Sequence, residues 1–132
     1  MKIEHLGIAV KSLADSDSLF ERLLGKGSYK KEEVEREGVV TSFYQIGESK
    51  IELLESTKSD SAISKFIEKR GEGIHHLAFG VENIEAEVER LKKEGFEFIS
   101  EEPKKGADNK IVVFLHPKST GGVLVELCQE IK

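Results

Sequence analysis

The chain has 132 residues, 38 % of them hydrophobic, which is enough to bury a core in one compact unit. Its formal net charge of −5 argues against a nucleic-acid-binding surface, and no apolar run approaches the roughly 20 residues that span a bilayer. Residues 1–4 lack the apolar stretch of a secretory signal, and the single cysteine, Cys128, excludes an internal disulfide and favours a reducing cytoplasm.

The first half of the chain predicts a strand, a helix and three more strands. The first strand covers residues 3–10, and a helix runs from a cap at Ser12 to a stop at Gly25. Three further strands follow at about residues 29–34, 39–46 and 50–55. A linking helix at about 61–70 then buries its apolar residues, which are Ala62, Ile63, Phe66 and Ile67.

The second half repeats the same plan. A strand is predicted at 74–81, and a helix begins at the Asn83 cap and ends before Gly95. The remaining strands are predicted at about residues 96–100, 110–116 and 123–128. Pro103 and residues 104–109 are predicted to form a loop. The outcome is a duplicated module of four strands and one helix.

The two halves also match residue by residue at four polar positions. His5 corresponds to His76, at a separation of 76 − 5 = 71, and Glu52 corresponds to Glu126, at a separation of 126 − 52 = 74. Each half therefore carries one histidine on its first strand and one glutamate on its last. Two imidazoles and two carboxylates are a suitable ligand set for one divalent metal.

Both glutamates interrupt apolar runs, which makes their burial costly without a cationic partner. Glu52 lies within residues 51–53, and Glu126 lies within 123–128. No Lys or Arg occurs within 121–130, so the partner of Glu126 comes from another strand or is a metal. Because the same arrangement occurs in both halves, the repeat favours a metal as the cationic partner of the two glutamates.

Strand alternation separates the histidines from the large apolar residues. His5 shares its face with Gly7 and Ala9, and the second copy places Ala78 and Gly80 beside His76. These small neighbours predict an open volume beside both histidines. The same alternation puts the adjacent histidine, His75, on the opposite face. We interpret it as a structural residue or as one that supports a metal ligand without binding the metal. We interpret His116, before Pro117, as a loop residue near the cavity mouth.

Three stretches resemble the vicinal oxygen chelate superfamily, and within it the methylmalonyl-CoA epimerases. They are residues 4–10, residues 73–79 with His76, and residues 114–127. The last stretch, a His-Pro-Lys turn followed by Gly-Gly-Val-Leu-Val-Glu, is the most specific to the epimerases, and the first is shared across the superfamily.

The resemblance implies an α+β fold in which two tandem βαβββ modules form a cupped, barrel-like, eight-stranded mixed sheet around a metal site. We expect a single domain over residues 1–132, built of repeats at about 1–56 and 73–132 and joined by a linking helix at about 60–71. The implied activity is interconversion of (2R)- and (2S)-methylmalonyl-CoA by removal of the α-proton through a metal-stabilised enolate.

The resemblance also implies the ligands of one divalent ion, with Co²⁺ favoured and Mn²⁺, Ni²⁺ or Zn²⁺ as alternatives. These ligands are His5, Glu52, His76 and Glu126. Glu126 is the expected catalytic base. Certain bacterial members carry a glutamate, proposed as a second base, at the position of Thr41. A threonine hydroxyl cannot serve as a base unaided, so Glu52 is the first candidate for the second acid–base group, and Lys110 or His116 is more remote.

Two other functions stay open at this stage. One is a glyoxalase I-type lactoylglutathione lyase, which uses the same four ligand positions. The other is a non-catalytic binding module, disfavoured because such modules usually lose the ligands. We expect the substrate phosphates to need positive charge near the predicted loop. Four lysines could supply it: Lys104, Lys105, Lys110 and Lys118. For any single lysine, a solvated surface position is the simpler interpretation. The resemblance further implies a homodimer, and no membrane or nucleic-acid partner is expected.

Overall fold

Eight strands and three α-helices follow one another in the computed structural model, which describes residues 1–100 and 102–132. The strands are β1 (Lys2–Val10), β2 (Lys30–Val34), β3 (Val39–Ile46), β4 (Ser49–Ser56), β5 (Gly73–Gly80), β6 (Lys104–Lys105), β7 (Lys110–Phe114) and β8 (Val125–Glu130). The helices are α1 (Leu13–Leu24), α2 (Ala62–Arg70) and α3 (Ile84–Lys93). The predicted α+β class and its two βαβββ modules are confirmed. Within these residues no helix is long and apolar enough to cross a bilayer.

The chain divides into two compact units. One consists of residues 5–75, and the other of residues 1–4 with residues 76–132. Helix α2 belongs to the first unit, and the beginning of β1 belongs to the second. The expectation of one domain over the whole chain stays a prediction.

In the unit of residues 5–75, a four-stranded mixed sheet packs against two helices, each through its own apolar cluster. Its strand order is β2-β3-β4-β1, with β1 parallel to β4 and the other pairs antiparallel. One cluster packs α1 residues such as Leu13 against Leu53 of β4, and the other packs Ile63 of α2 against Ala9 and Leu54. The sheet is therefore covered on both faces, as its runs of apolar residues require.

The helix boundaries follow the predicted caps. Ser12 accepts a hydrogen bond from the Asp15 amide (3.2 Å), and Gly25 ends α1 with φ of +76°, a value that glycine adopts without steric cost. Ser61 caps α2 by accepting from the Ser64 amide. The expected burial of Ala62 is wrong: it is exposed at the start of α2, about 100° around the helix axis from the buried Ile63.

In the second unit, the sheet order is β5-β8-β7-β6, again with one parallel pair, β5 with β8. Asn83 caps α3 as predicted, accepting from the Ala86 amide at 3.0 Å. A single cluster joins α3 to β7 and β8 through Val88, Val113 and Leu127. This core fixes the last strand, which carries Glu126.

The strand predicted at 96–100 is wrong, and the loop predicted at 104–109 is confirmed for 106–109 but not for 104–105, which form β6. Phe98 makes only an isolated bridge to Leu115, although Phe96 and Phe98 do pack on the α3 cluster. The Phe96 amide donates to the Leu91 carbonyl and so completes the end of α3 instead of entering a ladder. The edge strand of this sheet is β6, the second strand of the module in chain order. It pairs with β7 across a turn that contains Asp108 and Asn109, both with positive φ.

Candidate metal centre

His5 and Glu52 form a buried pair in the unit of residues 5–75. The register pairs Gly7 with Glu52 across β1 and β4, so His5, two residues earlier, lies on the same face as the carboxylate. The His5 Nδ1 atom is 3.1 Å from the Glu52 Oε2 atom, and each residue is only 5 % exposed. Phe43 lies directly opposite Glu52 on β3 and is fully buried, so it forms an apolar wall beside the pair.

His76 and Glu126 form the corresponding pair in the other unit. Ala78 of β5 pairs with Glu126 of β8, which again places the histidine two residues away on the same face. The His76 Nε2 atom is 3.3 Å from the Glu126 Oε1 atom, and the two residues are 6 % and 5 % exposed. Phe114, opposite Glu126 on β7, presents its ring edge-on to His76 at 5.9 Å between ring centroids. Each predicted glutamate thus lies beside the histidine of its own module.

The donor atoms in each pair suit a divalent metal. Two ligands that each lie about 2.1 Å from an ion, at right angles, are separated by about 3.0 Å. The observed separations of 3.1 and 3.3 Å match this spacing and also match a charge-assisted hydrogen bond. Imidazole nitrogen with carboxylate oxygen is a donor set for Mn²⁺, Co²⁺, Ni²⁺ or Zn²⁺. The residues therefore fit the metal that the resemblance implies.

The expectation of an open volume along the histidine faces is wrong for Ala9. Ala9 is fully buried and packs with Val39, Leu54 and Ile63, because α2 lies over this end of the face. The small residue lets α2 pack closely on this end of β1. His5, four residues earlier on the same strand, lies beyond this cluster.

The two remaining histidines have other surroundings. The ring of His75 meets Phe66 of α2 edge-on, with 5.0 Å between the ring centroids. His116 is exposed, and its Nδ1 atom accepts from the Lys118 amide at 3.2 Å, which caps the short 3₁₀ helix Pro117–Ser119. The structure therefore gives both side chains a local structural contact, consistent with their interpretation from the sequence.

Burial lowers the pKa of His75 to about 4, and this predicts acid-sensitive stability. An unfolded chain takes up the proton near pH 6.5, so the folded state loses stability as the pH falls from about 6.5 to about 4. We expect His75→Phe, which keeps an aromatic ring against Phe66, to abolish on the order of 2 kcal/mol of this loss. Urea unfolding of both proteins at pH 7 and pH 4.5 measures it, and parallel pH profiles would contradict the assignment.

The candidate lysines differ in their availability. Lys104 and Lys105 are exposed on β6, and the exposed Lys118 pairs with Glu97 at 3.1 Å. Lys110 is buried, and its Nζ atom lies 3.4 Å from Asp108 and 3.9 Å from Glu4. The pair of Glu4 and Lys110 could not be predicted from the sequence, because neither the repeat nor the strand pattern relates these two positions.

The comparisons with known proteins agree with one another. The family model described as Glyoxalase/Bleomycin resistance protein/Dioxygenase superfamily matches residues 4–114. The chain is 40 % identical to the mitochondrial methylmalonyl-CoA epimerase of Mus musculus, over 97 % of this chain and 72 % of that one. It is 39 % identical to the ethylmalonyl-CoA/methylmalonyl-CoA epimerase of Cereibacter sphaeroides, over 97 % of each.

A solved structure extends this similarity to the fold. The crystal structure of methylmalonyl-CoA epimerase from Mycobacterium tuberculosis superposes with a TM-score of 0.94 at 31 % identity. The match covers 99 % of this chain and 89 % of that one. The likeness therefore includes both modules.

Proposed function

We propose that this chain, which belongs to the Glyoxalase/Bleomycin resistance protein/Dioxygenase superfamily, is an epimerase that interconverts (2R)- and (2S)-methylmalonyl-CoA. One observation carries the proposal: each module holds a buried pair of one histidine and one glutamate, in a chain that is similar along its length to named epimerases. The relatives described above are epimerases, so the lactoylglutathione lyase is not proposed.

The four side chains of the two pairs are proposed to hold one divalent ion, with Co²⁺ favoured over Mn²⁺, Ni²⁺ and Zn²⁺. They are His5, Glu52, His76 and Glu126. Such an ion supplies positive charge to the thioester oxygen as negative charge develops there. The near-complete burial of these residues supports the proposal, because excluded water strengthens every electrostatic interaction in the site.

Glu126 is the proposed base for one face of the substrate. Its carboxylate removes the proton from the carbon between the thioester and the carboxylate, the C–H bond breaks, and its electron pair moves to the thioester oxygen. A proton then returns to the opposite face of the same carbon, so the reaction needs no oxidant or reductant. Glu52, on the other module, is the first candidate to deliver it, since the chain has Thr41 where certain relatives have a glutamate.

Phosphate binding by surface lysines, the oligomeric state and the cellular location belong to the same proposal. Three lysines are solvent-exposed and suit the substrate phosphates: Lys104, Lys105 and Lys118, although Lys118 also pairs with Glu97. Lys110 is instead buried against carboxylates. A single domain, a homodimer and a cytoplasmic location are proposed from the family resemblance and the single cysteine.

Solvent exchange tests the proposed activity directly. The protein is loaded with Co²⁺ and incubated in D₂O with (2R)-methylmalonyl-CoA, and separately with the (2S) epimer. We expect both to gain one deuterium at the α-carbon while they interconvert, as measured by mass spectrometry and chiral analysis. A metal-stripped sample is the control and should show little exchange.

Two results would contradict the proposal. The first is no deuterium at the α-carbon with the metal-loaded protein. The second is turnover of the methylglyoxal–glutathione adduct in place of methylmalonyl-CoA, which would assign the chain to the lyase class.

A further inference from the structure

Thr41 carries a buried hydroxyl group with no hydrogen-bond partner. It lies in β3, has no exposed surface, and its Oγ1 atom is the buried side-chain polar atom left unpaired among the residues that the structure describes. Burying a hydroxyl without a partner costs free energy, whereas valine has nearly the same shape and no such cost. This cost favours a partner for the Thr41 hydroxyl that lies outside the described residues.

The neighbouring residue shows how this strand treats a hydroxyl that the fold itself uses. Ser42 is equally buried and points to the opposite face, where its hydroxyl donates to the Asp17 carboxylate at 2.9 Å. Asp17 also accepts from the Tyr44 hydroxyl, and burial and this bond together raise the pKa of Tyr44. Two adjacent buried hydroxyls thus differ in one respect, because only the one on the α1 side is paired.

The strand register places Thr41 on the face of the His5–Glu52 pair. Thr41 lies opposite Leu54, and Phe43 lies opposite Glu52, so Thr41 and Glu52 are diagonal neighbours on one face. Diagonal neighbours lie about 7–8 Å apart at their Cα atoms, which leaves room for a ligand atom between a short and a long side chain. Thr41 is thus a neighbour both of Glu52 and of Leu54, which belongs to the apolar cluster under α2.

We propose that the Thr41 hydroxyl donates a hydrogen bond to an oxygen atom of the bound acyl group, so that Thr41 contacts the substrate. The chemistry of the substrate fits this role, because a malonyl-type thioester offers a carbonyl oxygen and a carboxylate as acceptors. This inference rests on the proposed function. It makes no use of Thr41 as an acid or a base.

Two substitutions that each remove one hydroxyl test it: Thr41→Val and Ser42→Ala. Thr41→Val removes an unpaired hydroxyl, so we expect its Tm to rise by about 2–5 °C. We also expect the KM for methylmalonyl-CoA to rise about tenfold or more, since a bond to a charged or developing-charge acceptor is lost. Ser42→Ala removes a paired hydroxyl, so it should lower the Tm and leave the KM unchanged. Thr41→Ser keeps the hydroxyl and should stay within about threefold of the wild-type KM.

Each alternative result is decisive. An unchanged KM in Thr41→Val, or a Tm that falls as in Ser42→Ala, would overturn the proposal and show that Thr41 is structural. A KM that rises equally in Thr41→Ser would also overturn it, because the hydroxyl would not be the cause. If the wild-type protein shows no exchange with methylmalonyl-CoA, the proposed function itself fails, and this inference fails with it.

Discussion

Replacement of Glu126 by glutamine is expected to lower kcat for epimerisation by about 10²–10⁴-fold, because an amide cannot accept the substrate proton. Glutamine has the same shape and can keep a hydrogen bond to His76, which lies 3.3 Å away. The Tm should therefore change little, although the carboxylate is buried. The rate is measured at saturating Co²⁺, so that weaker metal binding does not contribute to the loss.

A second carboxylate on the same strand provides the matched control. Glu130 lies four residues after Glu126 in β8, on the same face, but it is exposed at the C-terminal end of the strand. Glu130→Gln makes the same change of charge and is expected to leave kcat unchanged. If Glu126→Gln turns over at the wild-type rate, Glu126 is not the base.

The placement of the two histidine–glutamate pairs follows from local sequence rules and from the repeat. Alternation along a strand has a period of two, so His5 and Glu52 can share a face only in certain registers, and the parallel pairing of β1 with β4 provides one of them. The second module repeats this with β5 and β8. The helix limits were also predictable, since capping by Ser12 and Asn83 depends on neighbouring residues alone.

The remaining features depend on contacts that are distant in the sequence. Residues 96–100 have the alternation of a strand, yet the end of α3 takes the Phe96 amide, and the edge position goes to the two-residue strand β6. The pairing of Glu4 with Lys110 joins positions 106 residues apart (110 − 4 = 106). Such pairings are set by packing of the whole unit, which short-range patterns do not report.

Thr41 illustrates a different limit. The family resemblance implied that a glutamate of certain bacterial members is absent at this position, but nothing in the pattern of β3 distinguishes the Thr41 hydroxyl from that of Ser42. Only the hydrogen-bond partners separate the two. Function was therefore easier to predict from the repeated charged residues than from a neutral one.

His76→Ala is expected to remove the bound metal, whereas His75→Ala is expected to retain it. The two histidines are adjacent in β5 and point to opposite faces, so His76 lies beside Glu126 and His75 lies against Phe66. Loss of an outer partner of a metal ligand typically costs 10–100-fold in affinity, so loss of the ligand itself should cost at least about 100-fold. Elemental analysis after dialysis should find about one Co²⁺ per chain in the wild-type protein and in His75→Ala, and very little in His76→Ala.

A third variant, His5→Ala, tests whether the two units share their ligands. His5→Ala removes the histidine of the other module, and if one ion is held by both modules it should lose metal to the same extent as His76→Ala. Both pairs have similar burial and donor spacing, so neither histidine has an evident advantage as a ligand. Equal metal content in His75→Ala and His76→Ala would contradict the face assignment. If the wild-type protein instead holds two Co²⁺ per chain, and His5→Ala and His76→Ala each keep one, the modules bind separate ions and the basis for a single shared ion is lost.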